Sequence, residues 1–160
     1  MNDFRLLTST WIEWNELCRI PASVVTDCPD CAISFVSDAQ AFHLRLADDW
    51  WTIDEVDDRG KRYNDTARLS NFSLFEKYII WRWGSFMRMM LGLPLADPEL
   101  FRQGYSPDVG VRETASEWRT ELTSPAGSAV LSQTDSTIFS HLILKSVDEI
   151  DEMAREGLPR

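Results

Sequence analysis

Residues 41–94 read AFHLRLADDWWTIDEVDDRGKRYNDTARLSNFSLFEKYIIWRWGSFMRMMLGLP, and this stretch decides the fold because it joins a run of strands to one long helix. Apolar and polar residues alternate along residues 41–46 and again along Trp50–Val56, at the two-residue period of a strand with one apolar face. After the turn signal Arg59-Gly60, residues Arg62–Leu69 fit a returning strand. The sequence therefore predicts an antiparallel strand meander here.

From Ser73 the apolar period changes from two residues to about 3.6. Apolar residues recur every three or four positions, which predicts a helix of about 18 residues with its apolar stripe in the core. Ser73 and Glu76 have capping-box spacing, and Gly92 with Pro94 gives the stop signal. The stripe consists of Phe75, Ile79, Trp83, Phe86 and Met90.

The flanking sequence adds a helix at each end and further short strands. A capping-box match at Thr10 and Glu13 opens an N-terminal helix that runs to about Arg19. Another match at Ser146 opens a C-terminal helix that ends near Gly157. The remaining predicted strands are residues 24–25, 32–36, 109–112, 118–122 and 128–131, with a helical turn at 98–101. Runs of strands that do not alternate strictly with helices favour the α+β class, and 160 residues suggest a single domain over residues 1–160.

Composition disfavours several classes of function. Sixteen Lys and Arg against twenty-six Asp and Glu give a formal net charge of −10. This is the wrong sign for a protein that neutralises phosphates, so we expect no nucleic-acid partner. No apolar stretch approaches the roughly 18 residues of a membrane span, and the opening residues lack the pattern of a secretory signal. We therefore expect a cytosolic protein without a membrane partner. Three cysteines are too few for a disulfide framework, which agrees with a reducing compartment.

The sequence offers no strong catalytic or metal-binding motif. Cys28-Pro29-Asp30-Cys31 has the spacing of half a zinc site or of a redox pair, but no second ligand pair accompanies it and a strand follows it. We interpret it as a proline turn with two half-buried thiols. His43 and His141 lie in strand-like and apolar runs, where structural hydrogen bonding is the usual role. We therefore predict a protein that is not an enzyme and needs no metal or cofactor.

The charge pattern around the predicted strand turn is more informative. Residues 48–58 hold six acids and no base, and three bases follow around Gly60. A solvated hairpin explains this pattern. The run also carries Trp50 and Trp51, and exposed aromatic residues beside a strong charge field are typical of protein interfaces. The residues themselves leave both interpretations open.

The long helix and the C-terminal segment resemble a known family. Residues 69–78 (LSNFSLFEKY), followed by Trp83-Gly84 and the terminator at residues 91–94, resemble a family of bacterial immunity proteins. Its members protect cells from NAD-degrading toxins of the tuberculosis necrotizing toxin type. Residues 139–142 (FSHL) and 145–150 (KSVDEI) resemble the closing strand and helix of that family. The resemblance covers about half of the chain.

What the resemblance implies is inhibition. Members of the family bind the toxin's catalytic domain and occlude its NAD pocket with a glycine-bearing loop before the long helix, and the match by position is Arg59-Gly60-Lys61. A glycine tip suits this role because it has no side chain and tolerates positive φ. We therefore expect a monomer that binds one cognate toxin domain, an NAD glycohydrolase. The expected partner-binding residues are Trp50, Asp54, Glu55, Asp57, Asp58, Arg59, Gly60, Lys61 and Arg62.

Two other functions remain as alternatives. The aromatic residues would line a pocket between the sheet and the long helix in a small-molecule or peptide-binding regulatory module. A hydrolase with paired carboxylates is the second alternative, although no motif singles out one acidic pair.

Overall fold

The computed structural model describes residues 3–158, which form one eight-stranded antiparallel sheet and five helices. The α+β class predicted from the sequence is confirmed. The elements are α1 (Arg5–Leu17), β1 (Ala22–Val25), β2 (Ile33–Ser37), β3 (Ala41–Ala47), β4 (Trp50–Val56), β5 (Arg62–Leu69), α2 (Phe72–Met90), α3 (Asp97–Arg102), β6 (Gly110–Glu113), β7 (Arg119–Ser124), β8 (Gly127–Ser132), α4 (Gln133–Phe139) and α5 (Val147–Arg155). Within these residues, no helix combines the length and the apolarity that crossing a membrane requires.

The two predicted strand runs belong to one sheet of order β1-β2-β3-β4-β5-β8-β7-β6. Strands β1 to β5 form the first meander, and β6 to β8 form the second. Two residue pairs, Arg68↔Val130 and Leu69↔Ala129, join β5 to β8. The short β5–β8 contact therefore merges two local meanders into a continuous sheet.

An aromatic cluster between the sheet and the helices forms much of the core. Trp11 of α1 and Trp83 of α2 pack against Phe35 and Phe42 of the sheet, with ring centroids 4.8 to 6.1 Å apart. All four side chains are at most 2% exposed. Because strand side chains alternate between faces, these contacts place α1 and α2 on the face that carries Phe35 and Phe42. Burying each ring stabilises the fold by about 2 to 3 kcal/mol.

The opposite face of the sheet carries mainly polar side chains. Cross-strand pairing places Ser34 beside His43 and His43 beside Asp54. Ser34 and Asp54 are nevertheless only 2% exposed. Polar groups that are buried in this way need hydrogen-bond partners, and these partners define the candidate site.

Helices α1 and α2 both begin before the capping boxes that the sequence predicts for them. Helix α1 starts at Arg5, where the carboxylate of Asp3 accepts the Arg5 N–H at 2.9 Å. Thr10 lies inside the helix and is buried, because the buried stripe begins one turn earlier, at Leu7. Helix α2 starts at Phe72, and Asn71 caps it by accepting the Leu74 N–H at 2.9 Å.

The stripe of α2 is buried over most of its length. Phe75, Ile79 and Trp83 are in the core, as predicted, but Met90 is 50% exposed and Met87 is buried instead. The interpretation of Met90 as a core residue is therefore wrong. It is the last residue of α2, where the helix runs out beyond the core.

The prediction of a closing strand at residues 139–142 is also wrong. Phe139 ends helix α4, and turns follow it. The Ser132 hydroxyl caps α4 by accepting the Asp135 N–H at 3.1 Å, so this segment begins as a helix. The predicted C-terminal helix is confirmed as α5, with a capping box between Ser146 and Glu149.

Candidate functional site

The turn between β4 and β5, residues 57–61, contains Gly60 and is called the hairpin tip below. Its backbone closes on itself: the Asp57 N–H donates to the Lys61 carbonyl at 2.9 Å and the Gly60 N–H donates to the Asp57 carbonyl at 3.1 Å. The Asp57 carboxylate accepts the N–H groups of Lys61 at 2.9 Å and Arg59 at 3.0 Å. The Lys61 N–H is the main reason that the pKa of Asp57 lies below its ordinary value. These bonds close the tip into a hydrogen-bonded turn.

Gly60 is the most open point of the tip. Its φ of +82° lies in the left-handed region that favours glycine, and a Cβ built there meets no atom within 4 Å. Among the described residues, the side chains of Asp58 and Arg59 have no hydrogen-bond or ion-pair partner. The tip therefore presents backbone and uncommitted charges to solvent.

Asp54 fixes the base of the hairpin. Its carboxylate accepts hydrogen bonds from Arg62 Nη2 at 2.8 Å, Arg45 Nε at 3.1 Å and the backbone N–H of Asp65 at 2.8 Å. Burial opposes its ionisation, but the hydrogen bonds from Arg45 and Arg62 outweigh burial and hold the pKa of Asp54 below its ordinary value. Asp54 thus links β3, β4 and β5 just below the tip.

The nine expected partner-binding residues occupy three different environments. Asp57, Asp58, Arg59, Gly60 and Lys61 lie together at the tip, where Asp57 accepts the backbone N–H groups of Arg59, Gly60 and Lys61. Further down the hairpin, three residues make contacts within the fold. Asp54 and Arg62 pair with each other, and Glu55 pairs with Arg82 of α2 at 3.1 Å. The carboxylate of Asp54 is also buried and does not face solvent.

Trp50 lies apart from the tip. Trp50 is the first residue of β4, and the tip follows the last residue of that strand. At the rise per residue of a strand, the length of β4 places Trp50 about 20 Å from the tip. Trp50 is half-buried, and the guanidinium of Arg68 lies 5.4 Å from its ring centroid. The structure therefore does not bring Trp50 together with Gly60 on one small surface.

The aromatic side chains fill the space between the sheet and the long helix. Around Trp11, Trp83 and Met87 the remaining cavity is about 10 Å³. A cavity of this size holds about one water molecule, so it is too small for a ligand. The geometry of the described residues thus gives no support to a small-molecule pocket at this place.

The Cys28 and Cys31 side chains are joined in a disulfide, which corrects the interpretation of two free thiols. Cys31 Sγ lies 3.2 Å from Ser34 Oγ, which lies 2.6 Å from His43 Nδ1. Burial, and then the charge of Arg62, lower the pKa of His43 below its ordinary value, although the neighbouring carboxylates oppose this. Strand alternation in the sequence could have placed Ser34 and His43 on the same face of the sheet. It could not have shown that they are neighbours, because the register between β2 and β3 is not visible in the sequence.

The other histidine has a structural contact, as its sequence context predicts. His141 Nε2 donates to the carbonyl of Gly104 at 2.6 Å. Within residues 3–158, no group of three or more His, Cys, Asp or Glu side chains has the arrangement of a metal site.

Comparisons with known proteins identify a similar fold. No protein-family model and no curated protein sequence matches this chain. Among solved structures, Rv3902c from M. tuberculosis is similar, with a TM-score of 0.66 and 18% sequence identity over 91% of this chain and 87% of that one. At this identity the similarity establishes a shared fold.

Proposed function

We propose that this chain is an immunity protein that binds the catalytic domain of a cognate toxin, an NAD glycohydrolase, and blocks its active site with the hairpin tip. The observation that carries the proposal is Gly60, a solvent-open glycine at positive φ at the end of a hairpin. Backbone without a side chain can enter a narrow cleft that excludes ordinary residues. The sequence resemblance supplies the identity of the proposed target.

The rigidity of the hairpin supports binding by a preformed loop. Ordering a flexible loop on binding costs conformational entropy, and a loop that is already ordered avoids this cost. The carboxylate of Asp57 holds the tip by two backbone hydrogen bonds, and that of Asp54 ties the strands beneath it. The tip is therefore presented in the conformation in which it would bind.

The charge of the chain supports rapid association. A net charge of −10 attracts a basic partner over a distance of several ångströms, and such steering raises association rates. At the tip, Asp58 is the acidic side chain that stays uncommitted among the described residues. An immunity protein has to bind its toxin before the toxin depletes the cell of substrate, so a fast association rate serves this function.

The direct experiment is an NAD turnover assay. The purified chain is mixed with a candidate toxin domain that degrades NAD, and NAD loss is followed over time. The proposal predicts that turnover stops at an equimolar ratio. Undiminished turnover at that ratio would contradict inhibition of an NAD glycohydrolase.

A pair of glycine variants tests whether the tip is the inhibitory element. Gly60 and Gly157 both have φ of +82° and open space around a built Cβ, so Gly157→Trp carries the same backbone strain at another place. Gly60→Trp should weaken inhibition by about 100-fold or more, because an indole that clashes in a fitted cleft costs about 3 kcal/mol. Gly157→Trp should inhibit as the wild type does. Equal inhibition by both variants would place the inhibitory surface elsewhere.

A further inference from the structure

The Cys28–Cys31 disulfide closes a turn that other bonds already close. The two cysteines are only three positions apart, and for so short a loop the entropic stabilisation is about 2 kcal/mol at most. Strand pairing between Val25 and Ser34 flanks the turn, and the Ala32 N–H donates to the Leu44 carbonyl at 2.7 Å. The fold therefore has little need of this disulfide as a structural bond.

The surroundings of the disulfide suit a reactive role better than a structural one. Cys28 and Cys31 are both half-buried, so each keeps some access to solvent. Ser34 is buried between Cys31 and His43, within hydrogen-bond distance of each. Burial and the charge of Arg62 lower the pKa of His43 and so favour its neutral imidazole, which has one N–H donor and one acceptor nitrogen and can pass a proton in either direction.

We propose that Cys28 and Cys31 form a thiol–disulfide exchange site for small thiols, in which Ser34 and His43 relay the proton of Cys31. The thiolate of an external thiol attacks Cys28 Sγ, and the electron pair of the broken S–S bond goes to Cys31 Sγ. The Ser34 hydroxyl passes a proton to Cys31 and regains one from His43, which is reprotonated by solvent. Reversal of the relay deprotonates Cys31 during oxidation.

A second external thiolate completes the reaction. It attacks the external sulfur of the mixed disulfide, so that the two external thiols leave as their own disulfide and Cys28 leaves as a thiolate that solvent protonates. Two thiols are oxidised and one protein disulfide is reduced to two thiols, so two electrons and two protons are transferred in balance. This site lies apart from the hairpin tip, and it stands whether or not the chain inhibits a toxin.

Glutathione is the probe for the first experiment. The full chain is equilibrated in buffers of varied reduced and oxidised glutathione, quenched with acid, alkylated and analysed by mass spectrometry. The proposal predicts a reversible two-electron transition of the Cys28 and Cys31 pair within these ratios. Cys18 is the internal control, since burial raises the pKa of its thiol and should keep it reduced. A pair that stays bonded in excess reduced glutathione is structural, and a pair that stays reduced in excess oxidised glutathione is inert; either result overturns the proposal.

Variants test the direction of attack and the relay separately. Cys31→Ser should accumulate a mixed disulfide between glutathione and Cys28, and failure to trap it would overturn the proposed attack on Cys28. Ser34→Ala should slow the reduction of the disulfide by reduced glutathione about tenfold, because the departing Cys31 thiolate loses one hydrogen bond and its proton source. Ser34→Thr keeps the hydroxyl and should restore the rate, while His141→Gln should leave the rate unchanged. An unchanged rate in Ser34→Ala would remove the relay from the account.

Discussion

Replacing Asp54 with asparagine should destabilise the protein, because this carboxylate ties three strands together at the base of the hairpin. The side chain of Asp54 is 3% exposed, and it accepts hydrogen bonds from Arg45, Arg62 and the backbone of Asp65. Asparagine has nearly the same size and keeps one carbonyl oxygen. It loses the charge, however, and turns an NH₂ group toward a guanidinium that can only donate.

The magnitude follows from the partners that remain. Breaking a buried ion pair costs about 3 to 5 kcal/mol, and one hydrogen bond to a charged group contributes about 1.5 to 3 kcal/mol. The side chains of Arg45 and Arg62 are 29% and 37% exposed, so both can regain water when the carboxylate charge is lost. We therefore expect a loss of about 2 to 3 kcal/mol in the free energy of unfolding, below the range for a fully buried pair and within the range for one hydrogen bond to a charged group.

Urea denaturation followed by tryptophan fluorescence measures this loss. The matched control is Asp58→Asn, a change of the same chemistry four residues away on an exposed side chain, which should stay within about 0.5 kcal/mol of the wild type. Equal stabilities for the two variants would refute the assignment of Asp54 as the residue that organises the hairpin base.

Acid supplies a second test of the same residue. The folded-state pKa of Asp54 lies below the ordinary value of 3.8, so its contribution is fully present above that value and is lost as pH falls through the folded pKa. The stability difference between the wild type and Asp54→Asn should be constant from neutral pH to about pH 5 and should shrink below about pH 4. A difference that grows in acid would contradict a lowered pKa.

Further predictions concern helix packing and helix caps. Gly84→Ala should destabilise the protein by about 1 to 2 kcal/mol in thermal unfolding, because the new Cβ would lie 2.7 Å from the Cβ of Ala154 on α5. This loss should outweigh the higher helix propensity of alanine. Adding Ala154→Gly should recover most of the lost stability, and no recovery would count against this contact. Ser146→Ala should cost about 1 kcal/mol through loss of its cap on α5, and an unchanged melting temperature would contradict the capping box. Asn71→Ala should cost about 1 kcal/mol and Ser73→Ala less than about 0.5 kcal/mol, since Asn71 caps α2; the reverse order in urea unfolding would restore Ser73 as the cap.

Local periodicity predicted the parts of the fold that depend on nearest neighbours. The alternation of polar and apolar residues predicted β4, and the turn signal at Arg59-Gly60 predicted β5 after it, both with the bounds that the structure shows. Neither pattern predicted that β5 pairs with β8, since that contact consists of two residue pairs far apart in sequence. Helix α4 has a similar explanation: its buried Ser136 and Thr137 make no apolar stripe, so no helical period is visible.

The candidate site shows the same division between local and distant information. The tip around Gly60 could be located because its turn residues are contiguous. The roles of its acidic neighbours could not be separated, because Asp54, Glu55 and Asp58 look alike in a charged run. What distinguishes them lies on other elements: Arg45 of β3 holds Asp54, Arg82 of α2 holds Glu55, and no described side chain holds Asp58.

The most direct test of the central claim is a competition measurement. If the hairpin tip occupies the dinucleotide cleft of the toxin domain, this chain and a non-hydrolysable NAD analogue cannot bind at the same time. Titration calorimetry of the chain into the toxin domain should then give an apparent Kd that rises in proportion to the analogue concentration. A Kd that stays constant as the analogue saturates the toxin domain would contradict the claim.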